Sequence, residues 1–127
     1  MTVKLAHIQL AGRQAGRAIR AVDTLTSATT APLIAAPGTG MMVAVVGLRL
    51  ANSGSTNNVL VSIQSAGNVI DYIYLPTETS AIVCYGFDSP LFCNANEALQ
   101  WTTGAASTTM HISVHGFLSE PVDIVSA

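Results

Sequence analysis

Charge is what this 127-residue chain has least of: Asp, Glu, Lys and Arg together make up 9% of it, against about 25% in an ordinary soluble domain. The few ions are also segregated. Lys4, Arg13, Arg17 and Arg20 all precede the first acid, Asp23, and no Lys or Arg follows Arg49. Like-charge repulsion and charged edges normally keep a β-rich monomer solitary. A body with so little of either implies surfaces covered by neighbouring protein, and an assembly component is the first reading. The net charge of −2 speaks against nucleic acid as the partner of the whole domain, leaving only the basic N-terminal end to meet an acidic surface.

Long apolar runs are missing as well. Half of the residues are hydrophobic, yet the longest apolar stretch, residues 41–48, is eight long, well short of the roughly 18 that a spanning helix needs. A membrane partner is not expected. His7 and Gln9 interrupt the apolar residues of positions 1–10, so no signal-peptide core forms there and folding in the cytosol is the expectation. Two cysteines, Cys84 and Cys93, make no disulfide framework and have no zinc-pair spacing. Buried thiols are expected, with a Cys84–Cys93 disulfide as the alternative.

What is present reads as β-structure. From residue 41 onward, short apolar or alternating runs are separated by Gly, Asn, Ser and Pro, the cadence of an all-β sandwich. Residues 41–51 are Val-rich, and 52–58 are a Gly/Asn-heavy loop. Residues 58–64 alternate, with Val59, Val61 and Ile63 on one face. Gly67 and Asn68 supply a hairpin turn into 69–75. Strands are expected again at 80–87, at 98–103 around the single Trp101, and at 108–118, where Met110, Ile112 and Val114 face one way and His111, Ser113 and His115 the other. Earlier, residues 32–37 make one short edge strand and residues 3–10 another. Within 11–22, Arg13, Arg17 and Arg20 fall at i, i+4 and i+7, one face of a marginal helix. The chain thus divides into a basic arm and linker, residues 1–30, and an antiparallel β-sandwich, residues 31–127.

Candidate chemistry is sparse. Residues 37–40, Pro-Gly-Thr-Gly, lack the Lys and the helix of a phosphate loop and read as a turn. On a strand His111 and His115 lie about 13 Å apart, too far to share an ion, so no metal and no cofactor is expected. Asp71, Glu78, Asp88 and Glu97 sit at strand edges and turns without a neighbouring base, and no nucleophile elbow is present. No catalytic residue is assigned. Two sets of interaction residues remain. Lys4, Arg13, Arg17 and Arg20 of the arm can pair bidentately with carboxylates of a partner, Arg above all. Tyr72, Tyr74 and Trp101 offer rings for packing in the core or at a subunit interface, or for stacking on a sugar.

The second half carries a resemblance. Residues 87–92 (Phe-Asp-Ser-Pro-Leu-Phe), 96–101 (Asn-Glu-Ala-Leu-Gln-Trp) and 108–117 (Thr-Thr-Met-His-Ile-Ser-Val-His-Gly-Phe) follow one another as an apolar strand, a Pro-containing turn, an Ala-Leu strand, a small-residue loop and a terminal strand. In that order the chain resembles the small jelly-roll decoration (cement) and head-fibre proteins of tailed bacteriophage heads. The resemblance implies a jelly-roll-like sandwich and a homo-oligomer, with a trimer favoured. It further implies a non-enzymatic role in stabilising the head from its outer surface, with the major capsid protein or another shell protein as partner and the arm as contact. A carbohydrate-binding jelly roll, a tail or neck component, and a metal-dependent cupin-like enzyme are the alternatives.

Overall fold

The computed structural model describes residues 17–104, 108–122 and 124. Nine strands and no helix are found among them: β1 (Ala18–Leu25), β2 (Thr30–Ile34), β3 (Met42–Asn52), β4 (Val59–Ser65), β5 (Asn68–Leu75), β6 (Thr79–Cys84), β7 (Leu91–Phe92), β8 (Leu99–Thr103) and β9 (Met110–Ser119). One sheet has the order β1-β9-β3-β6, with β7 also on β3, and the other has the order β2-β8-β4-β5. Every pairing is antiparallel. The partners are nested, β1 with β9, β2 with β8, β3 with β6 and β4 with β5, as when one long antiparallel hairpin is rolled into two facing sheets. The fold is the all-β, jelly-roll-like sandwich that the alternation predicts.

The core lies between the sheets because each strand places its apolar residues on one face. Val43, Val45, Leu48, Leu50, Ile112 and Val114 of the first sheet meet Val59, Val61, Ile63, Leu99 and Trp101 of the second. Burying each such side chain contributes about 1.5–3 kcal/mol. The β4–β5 hairpin turns on Ala66 and Gly67, whose φ angles are 46° and 91°, so the turn comes one residue earlier than Gly67–Asn68. Positive φ at both central residues matches the right-handed twist of the flanking strands. At the opposite end, buried Asn52 satisfies its amide. Its Nδ2 donates to the carbonyls of Asn57 and Leu75 at 2.9 and 3.3 Å, and its Oδ1 accepts from the Gly54 N–H and the Thr108 hydroxyl at 3.0 and 2.8 Å.

The division at residue 30 does not hold. Ala18–Leu25 is no helix and no linker but an outer strand of the first sheet, paired with β9 from Ala18↔Phe117 to Leu25↔Met110. Its residues alternate, with Ile19, Ala21, Asp23 and Leu25 turned inward and Arg20, Val22 and Thr24 outward. Period two prevails over the arginine spacing because β9 offers a full ladder of hydrogen bonds. A helix interrupted by glycine had no comparable partner surface. Residues 3–10, expected as a strand, lie outside the described residues.

The central strand β3 contains an irregularity that the rest accommodates. Its register against β9 shifts between Val45, opposite Gly116, and Gly47, opposite His115. Val46 is the extra residue of this β-bulge. Val43 and Val45 before it, and Leu48 and Leu50 after it, all belong to the core. Gly116 faces the bulge at very close range, since a Cβ added there would sit 1.9 Å from the Ala44 carbonyl oxygen. No side-chain rotation relieves a contact with backbone. Gly116→Ala is therefore expected to cost about 3 kcal/mol, read as a lowered urea midpoint, whereas a wild-type midpoint in that variant would show that the two strands can separate freely.

Candidate functional site

The aromatic set divides. Trp101 is 0% exposed, so it is a core residue and no platform for a ligand. Leu99, Trp101 and Thr103 share the inward phase of β8, and the indole Nε1–H donates to Asp23 Oδ2 of β1 at 2.9 Å. Tyr72 and Tyr74, at 60% and 59% exposure, stand on the outer face of the second sheet, opposite Ser62 and Leu60 of β4. Next to them runs a line of hydroxyl and amide groups. The Thr30 and Thr102 hydroxyls are 2.7 Å apart, and Gln64 Nε2 donates to both Ser62 Oγ at 2.9 Å and Thr102 Oγ1 at 2.7 Å. This face is neutral, with two rings at one margin.

The outer face of the first sheet has a different character. Strand registry sets side chains in rows across it: Thr24, His111, Ala51 and Ser80; then Val22, Ser113, Arg49 and Ile82; then Arg20, His115, Gly47 and Cys84. Arg20, the last of the leading basic group, and Arg49, the one basic residue beyond it, share this face. Val22 and Ile82 are the most exposed large apolar residues described, at 80% and 75%. Between the rows lie two shallow depressions of about 350 and 410 Å³. The His111 ring is held with Nδ1 3.1 Å from Thr24 Oγ1 and Nε2 3.3 Å from Ser53 Oγ. The His115 ring lies over Gly47, where a Cβ would come within 2.8 Å of it.

Of the expected arm contacts, Lys4 and Arg13 lie outside the described residues. Arg17 precedes β1, its carbonyl accepting from the Leu118 N–H at 2.9 Å, and Arg20 is in the strand itself. Arg49 lies on the same face without belonging to the basic group that the sequence marks for partner contact. The signal for Arg49 was available, as the one exposed position in an otherwise buried stretch of β3.

Asp71, Glu97 and Cys93 serve the fold. Asp71 accepts a short hydrogen bond from the Tyr85 hydroxyl. Burial, with that bond and the Asp71 charge adding to it, raises the phenol above its usual range. Glu97 accepts from the Ser65 hydroxyl at 2.6 Å and from Asn94 Nδ2 at 3.2 Å. Residues 37–40 form a turn, with the Gly38 N–H bound to Asn96 Oδ1 at 2.9 Å. Cys84 is exposed, Cys93 is buried, and both are free thiols. Burial pushes the Cys93 thiol up to about 11; the Ser65 hydroxyl opposes the rise and the Glu97 charge adds to it. No group of three or more His, Cys, Asp or Glu side chains among the described residues is arranged to hold a metal ion.

No family model matches the chain, and no curated protein does. Among solved structures it is similar to a Bacillus endospore appendage protein, described as one of a novel family of disulfide-linked pili. The identity is 16% and the TM-score 0.42, over 85% of this chain and 93% of that one. It is also similar to an acetyl xylan esterase, Est2A, from the rumen bacterium Butyrivibrio proteoclasticus. Here the identity is 13% and the TM-score 0.42, over 87% of this chain and 35% of the esterase, so the chain spans about a third of that protein's length. Likenesses of this degree carry no functional argument, and the faces stand on their own residues.

Two outcomes follow from the buried groups. Asp23→Ala leaves the Trp101 indole N–H without its acceptor in the core and is expected to cost about 2 kcal/mol, with the loss measured by urea denaturation followed through tryptophan fluorescence. Asp23→Asn, which keeps an acceptor oxygen, should lose less. For the thiols, a thiol-reactive aromatic disulfide should label Cys84 in the native protein and Cys93 only on unfolding. The unfolded chain releases the Cys93 proton near 9.0 and the native one near 11, so this group's stabilising contribution is present below pH 9 and lost as pH rises to 11. Denaturation across that window should show a downward slope that is smaller in Cys93→Ala.

Proposed function

We propose that this chain is a non-enzymatic structural subunit of a virion, a decoration protein on the outer surface of a tailed-phage head. It self-associates, as a trimer in the favoured form, and adds contacts to the capsid shell. The observation that carries this reading is the exposure of Val22, Ile82, Tyr72, Tyr74 and Phe87 on a body almost free of charge. Large apolar side chains that recur on both outer faces, with few ions between them, favour contact with other protein. Three of the seven acids are engaged within the fold: Asp23 holds Trp101, Asp71 holds Tyr85 and Glu97 holds Ser65. The role is then mechanical, since contacts made only in the assembled particle stabilise it in proportion to occupancy.

A second reading has one observation in its favour. Tyr72 and Tyr74 stand side by side on β5 next to the hydroxyl line of Thr30, Thr102 and Ser62, a neutral surface on which a sugar ring can stack and hydrogen-bond. Glycan binding that is lost in Tyr74→Ala, with the oligomer intact, would favour that reading over decoration.

The primary test is solution mass together with co-sedimentation on phage heads that lack their decoration protein. A mass three times that of the chain and saturable binding are expected. Because β1 begins at Ala18, the informative truncation removes residues 1–16 and leaves the sheet intact. It should keep the oligomer and lose binding to heads. A protein that stays monomeric at high concentration and binds no particle would refute the proposal.

A further inference from the structure

We infer that the outer face of the first sheet is a docking surface for an acidic, extended protein segment, one that presents carboxylates about four residues apart with an aliphatic side chain between them. The inference rests on the assembly reading and assigns one face of the subunit to its partner.

Charge complementarity sets the choice of occupant. Arg20 and Arg49 both project from this face, and neither has a hydrogen-bond or ion-pair partner among the described residues. Among the described residues no acid shares the face with them. Asp23 is turned into the sandwich against Trp101 and Asp71 is bonded to Tyr85, while Glu78, Asp88, Glu97 and Glu120 occupy turns and strand ends. Arg20 and Arg49 are two strands and one row apart, on the order of 12 Å between Cα atoms. That distance is close to the roughly 13 Å separating positions i and i+4 of an extended chain, so one strand-like segment can present a carboxylate to each guanidinium. Val22 and Ile82 stand at the two ends of the row that contains Arg49, and they give the segment's aliphatic side chains a surface to cover.

The other occupants fit less well. A second copy placed symmetrically on this face would set arginine against arginine, which is repulsive. The leading segment of the chain brings Lys4 and Arg13 and no acid before Asp23, so it repeats the charge of the face instead of complementing it. A nucleic acid backbone demands a denser array of cations than two guanidinium groups flanked by exposed Val and Ile. His111 and His115 lie in rows of the same face and bring no negative charge to oppose an acidic segment.

The experiment uses the full-length protein and a blocked synthetic pentapeptide, Asp-Ala-Val-Ala-Asp, titrated while amide resonances are followed by NMR. Shifts are expected at residues 20, 22, 49, 82 and 113, with affinity reduced several-fold by half-molar salt. The double variant Arg20→Glu, Arg49→Glu should weaken binding at least tenfold while keeping the wild-type solution mass. Arg49→Gln, which removes the charge and keeps a shorter polar side chain, should give an intermediate loss and serves where charge reversal prevents folding. Equal binding of Asn-Ala-Val-Ala-Asn, shifts confined to other faces, or tighter binding of a short DNA duplex would overturn the inference. A monomeric wild-type mass would count against the assembly reading alone, because the peptide titration does not depend on it.

Discussion

The bulge at Val46 is the constraint on which both faces of the first sheet depend. β3 is flanked by β9 on one side and by β6 and β7 on the other, so its core-facing phase has to be right along its whole length. Its apolar residues do not keep one phase: Val43 and Val45 are odd-numbered, Leu48 and Leu50 even. A regular strand would turn one of these pairs out to solvent. Inserting a single residue keeps all four in the core and places Val46 and Gly47 together on the outside. That arrangement requires a glycine on the partner strand, where Gly116 passes the Ala44 carbonyl closer than any Cβ allows.

The consequences of the bulge reach both margins of the outer face. The freed Val46 carbonyl accepts from the N–H groups of Tyr85 and Gly86 at 2.7 and 3.0 Å, which ends β6 and starts the loop toward β7. Phe87 in that loop then stacks on Phe117, with ring centroids 5.9 Å apart and planes 7° from parallel. Ala44, Val46 and Phe117 form a small second apolar cluster outside the main core. Gly47, now outward, leaves room for the His115 ring to lie across it. A packing requirement in the core thus shapes the surface on which Arg20 and Arg49 stand.

How much of this was legible depended on whether the information was local. β4, β5 and β9 could be read directly, because alternation fixes which residues face inward, although the hairpin turn falls on Ala66–Gly67, one residue before the Gly67–Asn68 that the sequence suggests. β1 could not. Its arginines fall at helical spacing, and the strand that overrides that spacing, β9, lies about ninety residues away in sequence. Trp101 was open to misreading as a surface ring because a lone aromatic between polar residues has no address until its phase with Leu99 and Thr103 is considered. The phase break in β3 was in plain view, yet an apolar run buried on both sides looks the same with or without a bulge. The grouping of Arg20 with Arg49 was beyond any local reading, as only the β1-β9-β3 order brings them onto one face.

That grouping gives the molecule a direction. One outer face is cationic with aliphatic margins, the other is neutral with tyrosines and hydroxyls, and the described acids are kept to turns, strand ends and internal hydrogen bonds. A particle that repeats such a subunit gains from using the two faces differently, since pairing the cationic faces would be opposed by like charge whereas pairing the neutral faces would not. Within the proposed role, cohesion between copies then falls to the neutral sheet and the apolar loop around Phe87, and recognition of the shell is shared by the leading segment and the cationic sheet. The scarcity of charge acquires a physical sense on these terms. Few ions keep the contact between copies inexpensive to desolvate, and the few that remain are concentrated where a partner of opposite sign can be selected.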